Sequence, residues 1–219
     1  MIRLKPAPLS IGLLTLIATF FSTGCGSGST QVRLMNAMDG QGSVNMLLDN
    51  NTVASGVGFG SASAFASSSA GSHSLEIQSA GTTLLNLSVS LNGGNNNTIL
   101  ATNSGATVFQ DNKSAPSSGN FELRVINAAQ SLGTVDIYVV VPGTDISTVN
   151  PSATALAFQS ASGYLTLAAG NFVVEFSQSG SKNVVLATNS SSFSSGQIRT
   201  IVSLDGNGVF STALLSDLN

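Results

Sequence analysis

The sequence predicts an all-β protein with two tandem Ig-like antiparallel β-sandwich domains after an N-terminal signal peptide. Three observations carry this prediction: an internal repeat, apolar residues that recur at every second position, and turn sequences such as Asp205-Gly206 between the apolar runs. A period of two is typical of a strand with one buried face, and Asp-Gly supplies the positive φ that a tight hairpin needs. No 12-residue segment after residue 24 keeps a helical period, which argues against helical bundles and βαβ folds.

The chain begins with a predicted export signal. Arg3 and Lys5 precede a mainly apolar run over residues 9–21, which is the arrangement of a secretory signal peptide. This run is shorter than the ~20 apolar residues that a membrane-spanning helix needs, so a transmembrane anchor is the weaker interpretation. Residues 1–24 are therefore predicted to be a signal peptide.

Cys25 is the only cysteine of the 219 residues, and it directly follows Ser22-Thr23-Gly24. This segment resembles the lipobox of bacterial lipoproteins, in which small residues precede a cysteine that becomes the diacylated N-terminus. The resemblance implies lipidation at Cys25 and a membrane as partner, because two acyl chains anchor stably where one is marginal. Ser22 stands where Leu, Val or Ile is usual, which leaves an ordinary signal peptide and a free thiol as the alternative.

The residues after Cys25 extend this expectation. Gly26 rather than Asp follows the cysteine, which by resemblance to sorted lipoproteins implies the outer membrane of a bacterial cell envelope, with its face left open. Residues 25–31 are rich in Gly and Ser and predict a flexible tether. Without residues 1–24, five basic side chains remain against ten acidic ones, so no basic stripe is available for nucleic acid.

An internal repeat divides the rest of the chain. Residues 32–37 return 91 positions later as residues 123–128, with a shared Arg and a shared Asn-Ala. Later matches, such as Phe59 with Phe158, have an offset of 99 because the second copy has gained eight residues. So many matches in one order indicate a duplication. The predicted domains are repeat 1 (32–110), a linker (111–120) that would let the modules reorient, and repeat 2 (121–219).

Each repeat is expected to contain about seven short strands. In the predicted strand over residues 72–77 of repeat 1, the alternation points His73, Leu75 and Ile77 inward. Four charged residues recur between the copies and are expected on solvent-facing sides, where they would form ion pairs across neighbouring strands: Arg33, Glu76, Arg124 and Glu175.

Several short runs carry a family resemblance. They are Arg-Val-Ile-Asn-Ala at 124–128, Val-Asp-Ile-Tyr at 135–138, Ala-Phe-Gln-Ser-Ala-Ser-Gly-Tyr-Leu at 157–165, Ala-Ala-Gly-Asn-Phe at 168–172, and Gly196 before Thr200. In this order they resemble the bacterial family called domain of unknown function 4397, across nearly all of repeat 2 and more weakly in repeat 1. The resemblance implies an extracytoplasmic β-sandwich module, often tandem and often in lipoproteins, with no established activity. Two features depart from the family pattern: its Ser-Pro-Asp turn is absent, and Arg199 replaces a common Tyr.

No catalytic, metal or cofactor constellation is predicted. One histidine and one cysteine are too few for a zinc site, which draws three or four Cys, His or carboxylate ligands together. His73 is expected to be a strand-face aromatic, since no Gly-x-Ser-x-Gly elbow suggests a hydrolase triad. Residues 205–208 are expected to form a hairpin turn rather than a calcium loop, because no downstream Glu completes the ligand set.

The eight-residue gain places an irregular loop at residues 141–152. Loops on rigid sandwiches often carry binding residues, and we hypothesise that this one shapes a contact surface with Asp145 and Asn150 as candidate ligand-binding residues. A tolerated insertion is the alternative. The function expected from sequence is a membrane-anchored, non-enzymatic binding or structural module whose partner is an envelope protein or glycan. The alternative is an envelope or secreted hydrolase with an unrecognised site.

Overall fold

The computed structural model describes residues 28–218. This part of the chain contains eighteen strands and two single-turn 3₁₀ helices, so the prediction of an all-β fold is confirmed. Within residues 28–218, no helix has the length and apolar character that crossing a membrane requires.

The first half of the described chain forms a two-layer sandwich. One sheet has the strand order β4-β1-β7-β8 and the other β3-β2-β5-β6. Buried apolar residues from both sheets, including Leu34, Ile99 and Ile77, fill the space between them. The strands are β1 (Ser29–Ala37), β2 (Val44–Leu48), β3 (Asn51–Val57), β4 (Ala66–Ser69), β5 (Gly71–Ser79), β6 (Thr82–Leu91), β7 (Asn96–Thr102) and β8 (Gly105–Asp111).

The second half repeats this architecture. One sheet has the order β12-β9-β17-β18, with β13 also paired to β9, and the other β11-β10-β14-β15, with β16 also paired to β14. The strands are β9 (Asn120–Asn127), β10 (Val135–Val140), β11 (Ala153–Leu156), β12 (Ser160–Ala161), β13 (Leu165–Ala168), β14 (Gly170–Gln178), β15 (Val184–Ala187), β16 (Ser191–Phe193), β17 (Ile198–Gly206) and β18 (Val209–Leu218).

Each sandwich contains one parallel strand pair, which the antiparallel prediction did not include. β1 pairs with β7, and β9 pairs with β17, both in parallel. A parallel pair needs a long crossover connection. Here the crossover is the run of strands that separates the two partners in each repeat.

Lys182 holds the insertion, residues 141–152, against the second sandwich. The loop contains the 3₁₀ turn Ile146–Thr148, and Lys182 Nζ donates to the carbonyl oxygens of Ile146 and Val149. The same ammonium lies 4.7 Å from the centroid of the Tyr138 ring, where a cation is attracted by the face of an aromatic. The loop is irregular in shape but attached to β10 and to the turn after β14.

A third apolar cluster joins the two sandwiches. It contains Met35 and Leu100 from the first and Ile126, Val202 and Leu215 from the second. Because of this contact, strands β1, β7, β9 and β17 are buried on both faces. The linker composition suggested modules that reorient, whereas the structure shows a shared buried interface.

Candidate functional site

The residues proposed from sequence lie in separate places. Cys25 is outside the described residues. Asp145 and Asn150 are both exposed on the insertion, where Asp145 Oδ1 accepts a hydrogen bond of 2.9 Å from the Ser147 backbone N–H and caps the 3₁₀ turn. That bond lowers the pKa of the Asp145 carboxyl. The geometry gives Asp145 a local structural role, and its part in ligand binding stays a prediction.

His73 is buried with 6% of its surface exposed, which agrees with its predicted inward orientation. Its Nδ1 lies 2.7 Å from Asp49 Oδ2, and its Nε2 lies 3.0 Å from the Ser69 carbonyl oxygen. The hydrogen bond with His73 is the main cause of a lowered pKa at Asp49. In a Ser-His-Asp triad the second ring nitrogen faces a serine hydroxyl, whereas here it faces a backbone carbonyl. The pair therefore ties the turn after β2 to the end of β4.

The most elaborate polar arrangement lies between the two sandwiches, around Arg33 and Arg124. Arg33 is 3% exposed, and its Nε donates to Thr98 Oγ1 at 2.8 Å. Its Nη2 donates to Asp217 of the other repeat, and its Nη1 to the Ser216 carbonyl oxygen at 2.7 Å. Thr98 in turn donates to Asp111 at 2.7 Å.

Arg124 makes the same contacts in the reverse direction. It is 3% exposed, and its Nε donates to Thr200 Oγ1 at 3.0 Å. Its Nη2 donates to Asp111 of the first repeat at 2.6 Å, and its Nη1 to the Gln110 carbonyl oxygen at 3.0 Å. Thr200 donates to Asp217 at 2.6 Å. Two arginines and two aspartates thus form a neutral, reciprocal set, which we call the Arg–Asp network.

Aromatic rings cover the network. Arg33 stacks 4.6 Å from the Phe65 ring centroid and Arg124 4.8 Å from that of Tyr164. The Tyr164 hydroxyl donates to Asp217 Oδ2 at 2.8 Å. Burial raises the pKa of Tyr164 and of Asp111, although the two arginines oppose the effect at Asp111.

The network corrects the prediction that Arg33 and Arg124 face solvent. Their partners are aspartates of the opposite repeat, not the recurring glutamates: Glu76 accepts hydrogen bonds from Gln78 and Asn86 instead. The missed signal is that Arg33 shares its strand face with Met35 and Ala37, since alternate residues lie on one side. A mixed charged and apolar face that recurs in both copies indicates burial against a partner.

A cleft of about 430 Å³ opens beside this interface. It is lined by both repeats, and that volume lies within the usual range for ligand sites. The lining residues with polar groups or aromatic rings are Asp39, Thr102, Asn103, Gln130, Ser131, Phe158 and Asp205.

Hydrogen bonds between the repeats fix the cleft walls. Asp39 Oδ1 accepts from the Asn207 backbone N–H at 3.1 Å, and Gln130 Oε1 accepts from Ser104 Oγ at 3.0 Å. Within repeat 2, Asp205 Oδ2 accepts from the Ser131 N–H at 3.1 Å. Asp39 and Asp205 thus place two carboxylates on the cleft wall. The cleft therefore offers acceptors to hydroxyl or amine groups and repels anions.

Sequence comparison identifies one family. A family model described as "Domain of unknown function (DUF4397)" matches residues 30–138, that is, repeat 1 and repeat 2 as far as β10. The resemblance seen in the sequence was strongest farther along, in repeat 2. No curated protein matches the chain.

Three solved structures that match the chain share little sequence with it. The TIE protein of Bacillus anthracis is 10% identical, with a TM-score of 0.30, and the match covers 82% of this chain and 34% of that protein. A family CBM26 module of Eubacterium rectale Amy13K, solved with maltoheptaose, is 10% identical with a TM-score of 0.26, and the match covers 87% of this chain and 98% of that module. A leucine-rich repeat protein of Bacteroides thetaiotaomicron is 13% identical with a TM-score of 0.22, and the match covers 79% of this chain and 25% of that protein. The chain thus spans about a third of the TIE protein, and at these scores none of the three supports an argument about function.

Proposed function

Because the chain belongs to the DUF4397 family, for which no activity is described, we propose that it is a lipid-anchored, non-enzymatic module of the bacterial cell envelope. In this proposal, Cys25 carries the lipid and the cleft between the repeats binds a polar envelope component. The single observation that supports it is the cleft, whose walls come from both repeats and carry the carboxylates of Asp39 and Asp205 beside a half-buried Phe158.

The chemistry of the cleft favours a neutral, hydroxyl-rich ligand. Asp39 and Asp205 disfavour phosphate and carboxylate groups through like-charge repulsion. Acceptor oxygens beside an aromatic ring suit sugar hydroxyls and the apolar face of a sugar. Envelope glycan is therefore the ligand class that we place first, and a polar protein segment is second.

Filling the cleft is expected to weaken glycan binding. Gln130 is exposed on the cleft wall, so Gln130→Trp would occupy the volume that a ligand needs. The measurement is co-sedimentation of the purified protein with peptidoglycan sacculi, and we expect at least about a tenfold loss of affinity, or about 1.4 kcal/mol.

Asn150→Trp is the matched control, because Asn150 is also exposed but lies on the insertion. Loss of binding in this variant alone would move the site to the insertion and contradict the cleft. Wild-type protein that does not sediment with sacculi would contradict glycan binding and favour a structural spacer.

Lipid anchoring is expected to depend on Cys25 alone. In bacteria fed an alkyne-tagged fatty acid, the wild-type protein should carry the tag and sediment with membranes, and Cys25→Ala should lose both properties. Ser27→Ala lies two residues away and serves as the control that keeps both. An untagged wild-type protein would reduce the proposal to an exported, unanchored module.

A further inference from the structure

We propose that the face which joins the two repeats is a homotypic pairing face, able to accept a second copy of the same repeat in place of the covalently linked one. We call it the pairing face: the sides of β1, β7 and β8, or of β9, β17 and β18, that carry the Arg–Asp network and the third apolar cluster. The proposal goes beyond the function above and does not require a ligand in the cleft.

The first support is reciprocity. Arg33 of repeat 1 contacts Asp217 of repeat 2, and Arg124 of repeat 2 contacts Asp111 of repeat 1. Arg33 and Arg124 are equivalent in the duplication, and Asp111 and Asp217 are the final residue of β8 and the penultimate residue of β18. Contacts of the form i to j and j to i define an isologous interface, in which one surface recognises itself.

Each face therefore carries the complete set of charges. A pair of two repeat 2 modules would place Arg124 of each against Asp217 of the other. A pair of two repeat 1 modules would do the same with Arg33 and Asp111. We call a pair of two identical repeats a like pair. In both like pairs the buried charges remain balanced, which is the condition for burying them without a large desolvation penalty.

The apolar part of the face is also conserved in character between the copies. Ten of the thirteen residues of the third cluster fall into equivalent positions that exchange one apolar side chain for another, and Phe59, Leu204 and Ala213 have no counterpart in the cluster. The equivalent positions are Met35 with Ile126, Ala37 with Ala128, Ala62 with Ala161, Leu100 with Val202, and Phe109 with Leu215. A like pair therefore buries apolar surface of similar kind to that of the observed pair.

Each repeat has a core that is separate from this face. The clusters inside the two sandwiches share no residue with the cluster between them. The covalent connection from β8 to β9 consists of residues 112–119. The pairing face can thus be exchanged without opening either core.

A difference between the hairpins of the two repeats ranks the pairs by stability. The β17–β18 hairpin reaches over repeat 1, where Asn207 bonds to Asp39 and Gly206 lies against Phe59 so closely that a Cβ would be 2.7 Å from the ring. The β7–β8 hairpin is shorter and makes one corresponding contact, from Ser104 to Gln130, so the longer hairpin of repeat 2 adds the contact with Phe59 to the mixed pair. The mixed pair is therefore the most stable, and like pairs form when the other repeat is absent.

The test uses the full chain with Cys25→Ala and a protease site inserted after Ala115 in the linker. Cleavage without denaturant should leave the two fragments together in one peak of their summed mass. After separation in urea and refolding, each repeat alone should sediment as a dimer at micromolar concentration. Mixing the two should restore the mixed pair.

A charge variant makes the test specific. Asp217→Asn removes both Arg124–Asp217 ion pairs from the repeat 2 dimer, so that dimer should weaken at least about a hundredfold, and the repeat 1 dimer should not change. Asp145→Asn, on the exposed insertion, is the control without effect. The proposal is overturned by refolded repeats that sediment as monomers, by a repeat 2 dimer indifferent to Asp217→Asn, or by separated repeats that lose their β-sheet circular dichroism.

Discussion

Replacing Arg124 with methionine is expected to lower the free energy of unfolding by about 3–5 kcal/mol. The change removes the guanidinium that donates to Thr200, Asp111 and the Gln110 carbonyl oxygen. It leaves the buried Asp111 carboxylate without its closest cation, since Arg124 lies 2.6 Å from Asp111 and Arg33 lies 3.8 Å from it. Most of the loss is the cost of keeping an unpaired charge away from water rather than the value of the bond itself.

Urea unfolding followed by circular dichroism measures this effect, and a double variant identifies its cause. Arg124→Met combined with Asp111→Leu removes one cation and one anion, so the double variant should recover a large part of the lost stability. Arg199→Met is the control: Arg199 is only half-buried and bonds to the β18 edge, and its loss should cost less than about 1 kcal/mol. An equal loss from Arg199→Met and Arg124→Met would contradict a special role for the buried charge.

The fold could be predicted from sequence because its determinants are local. The alternation that turned His73, Leu75 and Ile77 inward is confirmed by their burial, and the hairpin expected at residues 205–208 joins β17 to β18. The parallel pairs could not be predicted in this way. Their partners lie far apart along the chain, and the direction of pairing depends on which end of the sheet the chain re-enters.

The interface between the repeats depends on contacts that a single strand does not reveal. Arg33 shares its strand face with Met35 and Ala37, and in an isolated sandwich that mixed face would meet water. Only the second copy, packed against it, supplies Asp217 and removes the solvent. For the same reason the cleft was not predicted, since its walls come from Asp39 and Gln130, which are 91 positions apart and meet only through this packing.

Removing the Phe121 ring is expected to be about as costly, at about 3–5 kcal/mol for Phe121→Ala. Phe121 is fully buried, stacks on Phe193 with ring centroids 4.6 Å apart, and meets Phe172 at 5.4 Å in a tilted arrangement. Alanine would leave a cavity between the two sheets and forfeit both ring contacts. The duplicated positions in repeat 1 hold Thr30 and His73, which are hydrogen-bonded instead, so the aromatic cluster is specific to repeat 2.

Phe210→Ala is the matched control, since Phe210 packs against the same core but is only half-buried. We expect it to cost about 1–2 kcal/mol. The ratio of the two losses, measured by urea unfolding, checks whether stability in repeat 2 depends on the cluster between its sheets. Equal losses would contradict that dependence.

The Phe121 variant also tests whether the two repeats unfold together. Phe121 and Arg124 belong to the same strand, β9, and face the core and the pairing face respectively. Loosening β9 from the core therefore weakens its hold on repeat 1. Hydrogen exchange measured by mass spectrometry should show β7 losing protection along with β17, because both strands are buried by the shared interface. Loss confined to β9–β18 would mean that the pairing face contributes little coupling, and the cleft between the repeats would then lack a rigid frame.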